Sequence, residues 1–588
     1  MDTPHPPLIQ LVVRVGVTGH RDLTRADREC LRGRVRTVLE SARAGAEAVL
    51  ARPDRGGYAD LPPVLRVLSP LAEGADRLVA QEALDLGFEL HCPLPFPREE
   101  YEKDFASRQS REEFRTLLSR AGRVLELDGR RDSEKEAYEM VGRTVLDHCD
   151  LLVAIWDGSE MRPRGGTGDI LEEALRASVP CVHISAAPPH EARYYVDGPS
   201  GEVNTTGLEA VASTMAELLA PPPLGSEVDL RAIYFAEPAW EGWTSRFSGR
   251  LWSLFLRSLA PGAASGPPLS DLSDPVAGVR EPYAKHFEWA DMLSQRYAAL
   301  FRSSYLANMG FKAMTVTCGL AVALAPDWPA WITGWLYLQL ACVLAVVGNT
   351  QLGRWRHWHA KSIDYRLLAE QLRQVRDLAP MARVFAFSRP PVHQVAGDPR
   401  GSWMNWHSRA VIRAVGLPSV RFDASYVAAC RTLLAEFGIG QQVRYHEASA
   451  GRASRIHERL HKASFWLLMV TVAAWACYFF LGRTSDAVVY RVARMLSVML
   501  PSWVTVLVAI AGFGEFGRVG KRSLAMARHL LGLRDRLDGL PPGVGLEPVA
   551  AIAQTYARWM IEETTDWRMV FQAHPMRVSS TLVYSLPR

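Results

Sequence analysis

Three short, glycine-rich segments bring together residue types that can bind an anion. They cover residues 16–21, 74–77 and 165–169, and each follows an apolar stretch. Glycines let backbone N–H groups approach a phosphate, and a helix that begins there adds the positive end of its dipole. Hydroxyl, carboxylate and cationic side chains could complete such a site. The candidate ligand-binding residues here are Thr18, Gly19, His20, Arg21, Gly74, Asp76, Arg77, Gly166, Thr167 and Asp169.

The segments that must position these residues alternate between apolar strands and amphipathic helices. Six stretches rich in Val, Leu and Ile show little polar alternation, which is typical of strands buried on both faces of a sheet. They cover residues 11–19, 64–70, 88–95, 123–129, 150–158 and 180–186. Because helical stretches separate most of them, the sequence predicts a parallel, doubly wound α/β sheet. Such sheets bind ligands at the carboxyl ends of the strands, near the point where strand order reverses.

Long uncharged stretches in the second half predict membrane-spanning helices. Residues 328–353, 463–482 and 495–514 are uncharged over 26, 20 and 20 consecutive positions, and residues 303–326 contain one charge, Lys312. Crossing a hydrocarbon core takes roughly 20 apolar residues, whereas a buried helix rarely needs more than about 14. We therefore expect an integral membrane protein whose second half is an all-α region with four transmembrane helices. The expected spans are about 306–325, 331–349, 463–482 and 495–514.

The distribution of positive charge predicts how these helices are oriented. Twenty Lys and Arg residues flank the predicted spans on one side, in residues 291–312, 354–378, 444–462 and 515–540. The two hairpin tips carry none and three. The positive-inside rule then places both termini in the cytoplasm. The N-terminus lacks a charged region followed by an apolar one, so no signal peptide is expected.

Composition and charge exclude several classes of function. With 67 Lys and Arg against 63 Asp and Glu, the net charge of +4 is too small for a dedicated nucleic-acid binder. The eight cysteines are scattered without a CxxC pair, so neither a metal site nor a disulfide framework is expected. No Asp, Glu or His lies within a predicted span, which argues against a proton- or ion-coupled transporter.

The membrane region contains one pattern twice, which predicts an internal duplication. A helix, a membrane hairpin and a second helix recur with offsets of 160 and 162 residues. A charged helix after the second span, around residues 364–376, is by default a solvated surface, and the alternative is a stalk that pairs between subunits. The aromatic segment 239–259 could lie on the membrane face or pack against a neighbouring domain. The predicted domains are 1–225, a connecting region with a linker at 226–284, and two membrane units at 285–440 and 441–588.

Five segments of the first domain, in this order, resemble the SLOG superfamily. They are GVTGHRDL, SPLAEGADRLVA, LPFPREEYEKDF, CDLLVAIWDG and GGTGDILEEA, within about residues 10–190. This Rossmann-like group includes the cytokinin-activating phosphoribohydrolases and the DNA-processing proteins. The resemblance implies that the candidate residues line a nucleotide pocket, with Pro95, Tyr101 and Asp104 closing one wall. The alternative for these last three residues is that they only pack and cap the loop after the third strand.

One departure from the phosphoribohydrolase pattern argues against catalysis. Those enzymes carry Gly-Gly-x-Gly-Thr with a catalytic Glu three residues after the Thr, whereas Ile170 stands three residues after Thr167 here. Glu172 and Glu173 lie further along the following helix, where we expect them to face solvent. A general acid–base must reach the reacting bond. We therefore predict no catalytic residue, and sensing of a nucleotide rather than its hydrolysis.

The second half resembles SLATT, a two-helix membrane module commonly joined to SLOG domains in bacterial conflict systems. The segments that carry this likeness are RYAALFRSSYLAN and RWRHWHAKSIDYRLLAEQLR; the match is clear over about 285–420 and weak over 440–570. The resemblance implies a pore-forming effector of antiviral defence by abortive infection, located in the bacterial inner membrane. Its activating ligand would be a nucleotide second messenger, cyclic or derived from NAD or ADP-ribose. A partner synthase or TIR-type enzyme would supply that signal.

Four membrane helices in one chain are too few for a pore, so this hypothesis requires a homo-oligomer in the lipid bilayer. Two alternatives remain open. The first is a membrane-tethered nucleotide N-glycosidic hydrolase, and the second is a constitutive channel or scaffold whose Rossmann-like domain binds nothing. Binding of nucleotides, and release of a base from them, distinguish the three hypotheses.

Overall fold

The computed structural model describes residues 6–24, 26–157, 166–197, 203–222, 229–238, 250–259, 276–324, 329–384, 402–481 and 487–572. In this part of the chain, the first domain contains an eight-stranded sheet of order β4-β3-β2-β1-β5-β6-β7-β8. The strands are β1 Val12–Gly19, β2 Val64–Leu68, β3 Glu89–Leu94, β4 Ala121–Glu126, β5 Leu151–Trp156, β6 Cys181–Ser185, β7 Ala192–Asp197 and β8 Val203–Thr206.

The six predicted strands are confirmed as β1–β6, and all of their pairings are parallel. Strands β7 and β8 extend the β6 edge in antiparallel fashion and were not predicted from the sequence. Strand β1 pairs with β2 on one side and with β5 on the other, so strand order reverses between β1 and β5. This is the topological switch point of the sheet.

Helices cover both faces of the sheet because their apolar residues recur at helical spacing. In the first of them, Leu31, Val35, Leu39 and Ala42 are fully buried. The carboxylate of Asp27 caps this helix by accepting the N–H of Cys30 at 3.2 Å. The helices of the domain are α1 Arg28–Leu50, α2 Ala75–Asp85, α3 Arg98–Tyr101, α4 Arg108–Ser119, α5 Glu134–His148, α6 Thr167–Arg176 and α7 Ala210–Leu219.

The rest of the described chain is helical, apart from connecting turns. A π-helical segment, Leu433–Ile439, joins α14 to α15 without a break. The helices are α8 Leu230–Phe235, α9 Arg250–Leu259, α10 Ala277–Leu324, α11 Pro329–Trp355, α12 Trp358–Leu378, α13 Trp403–Val415, α14 Ala424–Thr432, α15 Gly440–Leu481, α16 Ala487–Gly514, α17 Phe516–Asp538 and α18 Leu546–Gln572. Within the connecting region, the predicted Pro/Gly/Ser linker covers 258–275; its residues 260–275, and residues 239–249 of the aromatic segment, lie outside the described residues.

The helical region contains the same arrangement twice: a long helix, then an apolar helix, then a charged helix. In the first unit these are α10, α11 and α12, and in the second they are α15, α16 and α17. In both units a residue with a positive φ stands directly before the charged helix, His357 (52°) before α12 and Glu515 (42°) before α17. Left-handed backbone is uncommon outside glycine. The two breaks lie 158 residues apart, close to the offsets of 160 and 162 that the sequence indicated.

Three helices among the described residues are long and apolar enough to cross a membrane. They are Ile332–Trp355, Ala424–Phe480 and Val492–Asp538, and they correspond to three of the four predicted spans. The remaining predicted span, 306–325, lies in the C-terminal part of α10, which does not meet the same criterion. Asn308 and Lys312 interrupt its apolar sequence. The chain is thus a multi-pass membrane protein by length and composition, and the fourth span stays a prediction.

The charged helix after the second span is buried, so its default interpretation as a solvated surface was wrong. Most residues of α12 are buried on every side of the helix, and its charged side chains pair inside the protein. Asp364 accepts from Arg568 at 3.2 Å and from the Trp403 indole at 3.3 Å. Asp377 pairs with Arg280 at 3.0 Å. From the sequence alone, a charged helix that faces water cannot be distinguished from one whose charges pair with buried residues of neighbouring helices.

The α/β domain and the helical region share their cores. One hydrophobic cluster combines residues of the sheet domain with residues of α10, α12 and α13, and a second combines residues of the sheet domain with the end of α12 and with residues of α14, α15, α17 and α18. The open edge of β4 is covered as well, because the backbone N–H of Glu126 donates to Val420 O at 2.9 Å and that of Phe422 donates to Glu126 O at 2.8 Å. A covered edge strand cannot pair with another chain. The two halves therefore form one continuous packed structure.

A buried ion cluster joins the two halves at the amino ends of the central strands. Asp150, just before β5, accepts from Arg14 Nη2 of β1 at 3.0 Å and from Arg413 Nε of α13 at 2.8 Å. All three side chains are at least 93% buried. Although burial opposes ionisation, the two guanidinium groups hold the pKa of Asp150 well below its usual value. This carboxylate is therefore charged at every physiological pH.

We expect Arg413→Met to destabilise the folded chain by about 3 kcal/mol, because removing one member of a buried ion cluster leaves charge without its partner. The matched control is Arg421→Met, since Arg421 is half exposed and lies 3.7 Å from Glu126. An exposed pair of this kind contributes less than about 1 kcal/mol. Unfolding of the full chain in detergent measures both. Equal destabilisation by the two variants would contradict the role assigned to the cluster.

Candidate functional site

The loops after β1 and β5 meet at the switch point of the sheet. His20 follows β1, and its Nε2 lies 2.9 Å from Asp157 Oδ1, which follows β5. The same ring nitrogen lies 3.2 Å from the Asp157 backbone nitrogen. Both side chains are partly exposed, at 32% and 42%. This partly exposed histidine–carboxylate pair thus lies at the edge where this class of sheet binds a ligand.

Two glycines let the first and second loops approach each other at this edge. The Ala75 N–H donates to His20 O at 3.0 Å. Gly74 has a φ of +80°, and a Cβ there would lie 2.4 Å from the carbonyl oxygens of His20 and Arg21. A Cβ on Gly19 would lie 2.4 Å from the Ala75 side chain. The sequence needs glycine at both positions, and it is the glycines that bring the two predicted segments together.

Arg21 forms one wall of the site with Tyr138 of α5 and with Asp104, which follows β3. Its guanidinium lies 4.7 Å from the centre of the Tyr138 ring, and its side chain is exposed. The Tyr138 hydroxyl donates to Asp104, whose other oxygen accepts from Arg131 at 2.7 Å. Asp104 therefore positions Tyr138 beneath Arg21. Asp157 and Tyr138 were not among the predicted residues, although Asp157 belongs to the quoted segment CDLLVAIWDG and could have been found there.

Asp76 is a buried carboxyl group in the first turn of α2. Its Oδ2 accepts the backbone N–H of Ala72 at 3.3 Å, and the residue is only 6% exposed. Burial raises its pKa to about 7, although the charges of Arg21 and Arg77 oppose this effect. A carboxyl group that titrates near neutral pH beside a cationic loop is a common feature of functional sites.

Arg77 and Tyr101 lie near the same edge but are occupied by the protein itself. Arg77 Nη1 donates to Ser110 Oγ at 2.9 Å and pairs with Glu113 at 2.9 Å. The Tyr101 ring is 1% exposed and packs edge-on against Phe105, with their centroids 5.2 Å apart. Pro95 is buried as well. These contacts fit the packing and capping role that the sequence left open for the loop after β3.

The third predicted segment forms the start of α6, which packs against β1 and β5. Gly166 is exposed, and a Cβ there would meet no atom within 4 Å. Its N–H donates to Asp169 Oδ2 at 3.4 Å, so Asp169 caps its own helix. Thr167 is partly exposed in the first turn. Gly165 lies outside the described residues, as does the rest of the loop from β5.

The carboxylates expected to face solvent on α6 are bound in ion pairs at its surface. Glu172 pairs with Arg176, and Glu173 pairs with Arg143 at 3.2 Å, with side-chain exposures of 41% and 38%. Ile170, three residues after Thr167, is 5% exposed and packs in the core. Neither Glu172 nor Glu173 is therefore positioned by contacts with the candidate site residues.

Among the described residues, no group of three or more His, Cys, Asp or Glu side chains could hold a metal ion. Two cavities of about 320 and 530 Å³ lie away from this edge, one beneath the sheet and one among the helices. A scan against models of known protein families found no match for the chain, and a search of curated proteins found none either.

We expect Asp76→Asn to change how stability depends on pH. The folded chain binds the Asp76 proton more tightly than an unfolded chain, whose pKa is about 3.9. This group therefore destabilises the fold increasingly as pH rises from about 4 to 7. Asparagine keeps an acceptor for Ala72 and cannot ionise. The stability difference, variant minus wild type, should rise by up to about 1.4 kcal/mol per pH unit in that window.

Thermal unfolding of the full chain at pH 4, 5, 6, 7 and 8 measures this difference, which cancels the many other titrating groups. Asp85→Asn, at the partly exposed end of the same helix, is the matched control. A pH-independent difference for Asp76→Asn would show that this carboxyl is not buried as the structure describes.

Proposed function

We propose that the protein is a ligand-controlled membrane effector whose α/β domain binds a nucleotide at the β1–β5 edge. One observation carries this proposal: the same two strands hold the candidate site at their carboxyl ends and the buried ion cluster at their amino ends. Arg14 and Gly19 are five residues apart on β1, about 17 Å in a strand. A short, rigid element thus connects the candidate site to the helical region.

Nucleotide phosphate is the ligand chemistry that suits the edge best. Arg21 is exposed there, the imidazole of His20 is partly exposed, and Gly166 at the start of α6 is exposed as well. Cationic side chains and helix N-termini are recurring partners of phosphate. Tyr138 and the loop residues beside it supply a surface on which a base or ribose can rest. The resemblance to SLOG domains supports the same ligand class, with a cyclic or ADP-ribose-derived nucleotide as the signal.

The membrane part of the proposal includes a fourth span and an orientation. The C-terminal half of α10 lies along α11, where Asn308 donates to Thr350 at 3.0 Å and Asn349 donates to Ser304 O at 3.1 Å. Such paired amides allow polar residues to cross a bilayer. With α10 as a span, each unit is a hairpin, and the positive flanks place both termini in the cytoplasm. Self-association of several chains would then assemble a pore.

In this proposal, ligand binding shifts the population of subunit arrangements toward the pore-forming one. The shift can be no larger than the ligand's difference in affinity for the two arrangements. A partner enzyme that makes the nucleotide during phage infection would turn the effector on, and permeabilising the inner membrane would stop the infected cell. This role as an abortive-infection effector rests on the resemblance to SLOG and SLATT proteins.

We expect Arg21→Gln to weaken nucleotide binding roughly 10-fold or more, since a hydrogen bond to a charged group contributes about 1.5–3 kcal/mol. Calorimetry of the full chain in detergent, with ADP-ribose and a panel of cyclic nucleotides as probes, measures the loss. Thr167→Ala should weaken binding too. Arg52→Gln, on the exposed turn after α1, is the matched control and should bind as the wild type does.

The same variants distinguish the proposal from its alternatives in cells. Arg21→Gln should insert into the membrane normally yet lose its toxicity during infection, whereas Arg52→Gln should keep it. Undiminished toxicity of Arg21→Gln and Thr167→Ala together would sink the proposal in favour of a constitutive channel. Release of a free base from any nucleotide by the full chain would favour the hydrolase instead.

A further inference from the structure

The larger cavity of the helical region lies between the two repeated units, next to the cytoplasmic ends of the spans. Its volume is about 530 Å³, and its walls come from α9, α10, α12, α15, α17 and α18. His359, four residues after the end of the Ile332–Trp355 span, lines it, and so does Phe513 in the last turn of α16. The cavity is therefore at the level where lipid headgroups meet the cytoplasm.

This cavity carries an excess of positive charge. Five arginines line it, against two carboxylates, Glu515 and Glu563. Of the arginines, Arg518 pairs with Glu515 at 3.3 Å, and Arg522 lies 3.7 Å from Asp566. The other three, described next, have no carboxylate within 4 Å among the described residues. Burial raises the pKa of Glu563, which reduces its ability to neutralise them.

The three unpaired arginines are Arg302 on α10, Arg366 on α12 and Arg452 on α15, and each is partly buried. Burial lowers the pKa of Arg302, and the charge of Arg366 lowers it further. Taking cations out of water without a partner is unfavourable, so an anion in the cavity would stabilise this arrangement. Guanidinium groups bind phosphate oxygens in pairs and with defined geometry.

The remaining walls are apolar and aromatic. The guanidinium of Arg302 lies 5.3 Å from the centre of the Trp252 ring. Trp252 belongs to α9, in which Leu251 and Leu254 are about half exposed. Phe513 and Trp567 contribute further aromatic surface. A ligand that fits is an anion with an apolar portion. Basic pockets between membrane helices on the cytoplasmic side bind acidic phospholipid headgroups in this way.

We propose that this cavity binds the phosphate group of an anionic ligand through Arg302, Arg366 and Arg452, and that an acidic phospholipid of the adjacent leaflet supplies it. Arg302 and Arg366 belong to the first membrane unit and Arg452 to the second. A bound phosphate therefore joins the two units, and its arrival or loss changes how firmly they are held together. This site is distinct from the nucleotide site proposed at the sheet edge.

The test measures thermal unfolding of the delipidated full chain in nonionic detergent. Phosphatidylglycerol in mixed micelles should raise the Tm, since a ligand that binds only the folded state stabilises it. Phosphatidylcholine should not. For Arg302→Gln and Arg452→Gln, the half-saturating phosphatidylglycerol concentration should rise roughly 10-fold or more. Arg455→Gln is the matched control, because Arg455 is exposed on the same helix as Arg452 and does not line the cavity.

Two further arms keep the result interpretable. Arg302→Lys retains the charge and should bind better than Arg302→Gln, which separates loss of the phosphate contact from misfolding. Inorganic phosphate is the soluble probe. If phosphate raises the Tm of the wild type but not that of Arg452→Gln, and phosphatidylglycerol raises neither, the phosphate site is supported and the lipid is overturned as its source. Equal responses of all variants to phosphatidylglycerol, or equal effects of both lipids on the wild type, would overturn the site itself. Arg21→Gln should respond as the wild type does, so failure of the nucleotide proposal would leave this result unchanged.

Discussion

The buried cluster of Arg14, Asp150 and Arg413 is the interaction on which the rest of the structure depends. Two cations and one carboxylate at least 93% buried cost desolvation free energy that their hydrogen bonds must offset. A purely apolar contact could slide by small amounts, whereas this cluster fixes α13 against the amino ends of β1 and β5 in one register. The helical region is therefore held to the same two strands whose carboxyl ends form the candidate site. Hydrogen bonds between β1 and β5 run from Val15 opposite Leu151 to Gly19 opposite Ile155, so the paired strands connect the cluster to the site without a break.

The candidate site depends on close approach of backbone rather than on any single side chain. Gly19 and Gly74 allow the loops after β1 and β2 to contact each other, and this contact fixes His20 and Arg21 at the edge. Arg77, Asp104 and Asp169 then act mainly within the protein, by capping and cross-linking loops. The side chains of the site that keep exposed surface are those of Arg21, Thr167, His20 and Asp157.

Much of the fold could be predicted from the sequence because its strands and spans are continuous apolar runs of characteristic length. Strands β1–β6 are short apolar runs between amphipathic helices, and three spans are long uncharged runs. Strands β7 and β8 were not predicted because their composition is mixed and they pair onto the edge of β6. The burial of α12 was not predicted for a different reason. Its carboxylates are bound by Arg280, Arg568 and Trp403, which are distant in the sequence. At the site, the glycine segments were found from composition, whereas Tyr138 is visible only once the helices are packed.

The two repeated units differ in how much of their charged helix is buried. Helix α12 of the first unit is enclosed on nearly all sides by α10, α13 and α18, and Lys361 within it reaches the buried Glu237 at 2.7 Å. Helix α17 of the second unit buries one face only, around Leu530, Leu533 and Leu537. The neighbours of the two helices account for this difference, because α12 packs against α10, α13 and α18, whereas α17 packs mainly against α15. The first unit therefore holds its charged helix in the interior, whereas the second keeps most of its charged helix at the surface of the described residues.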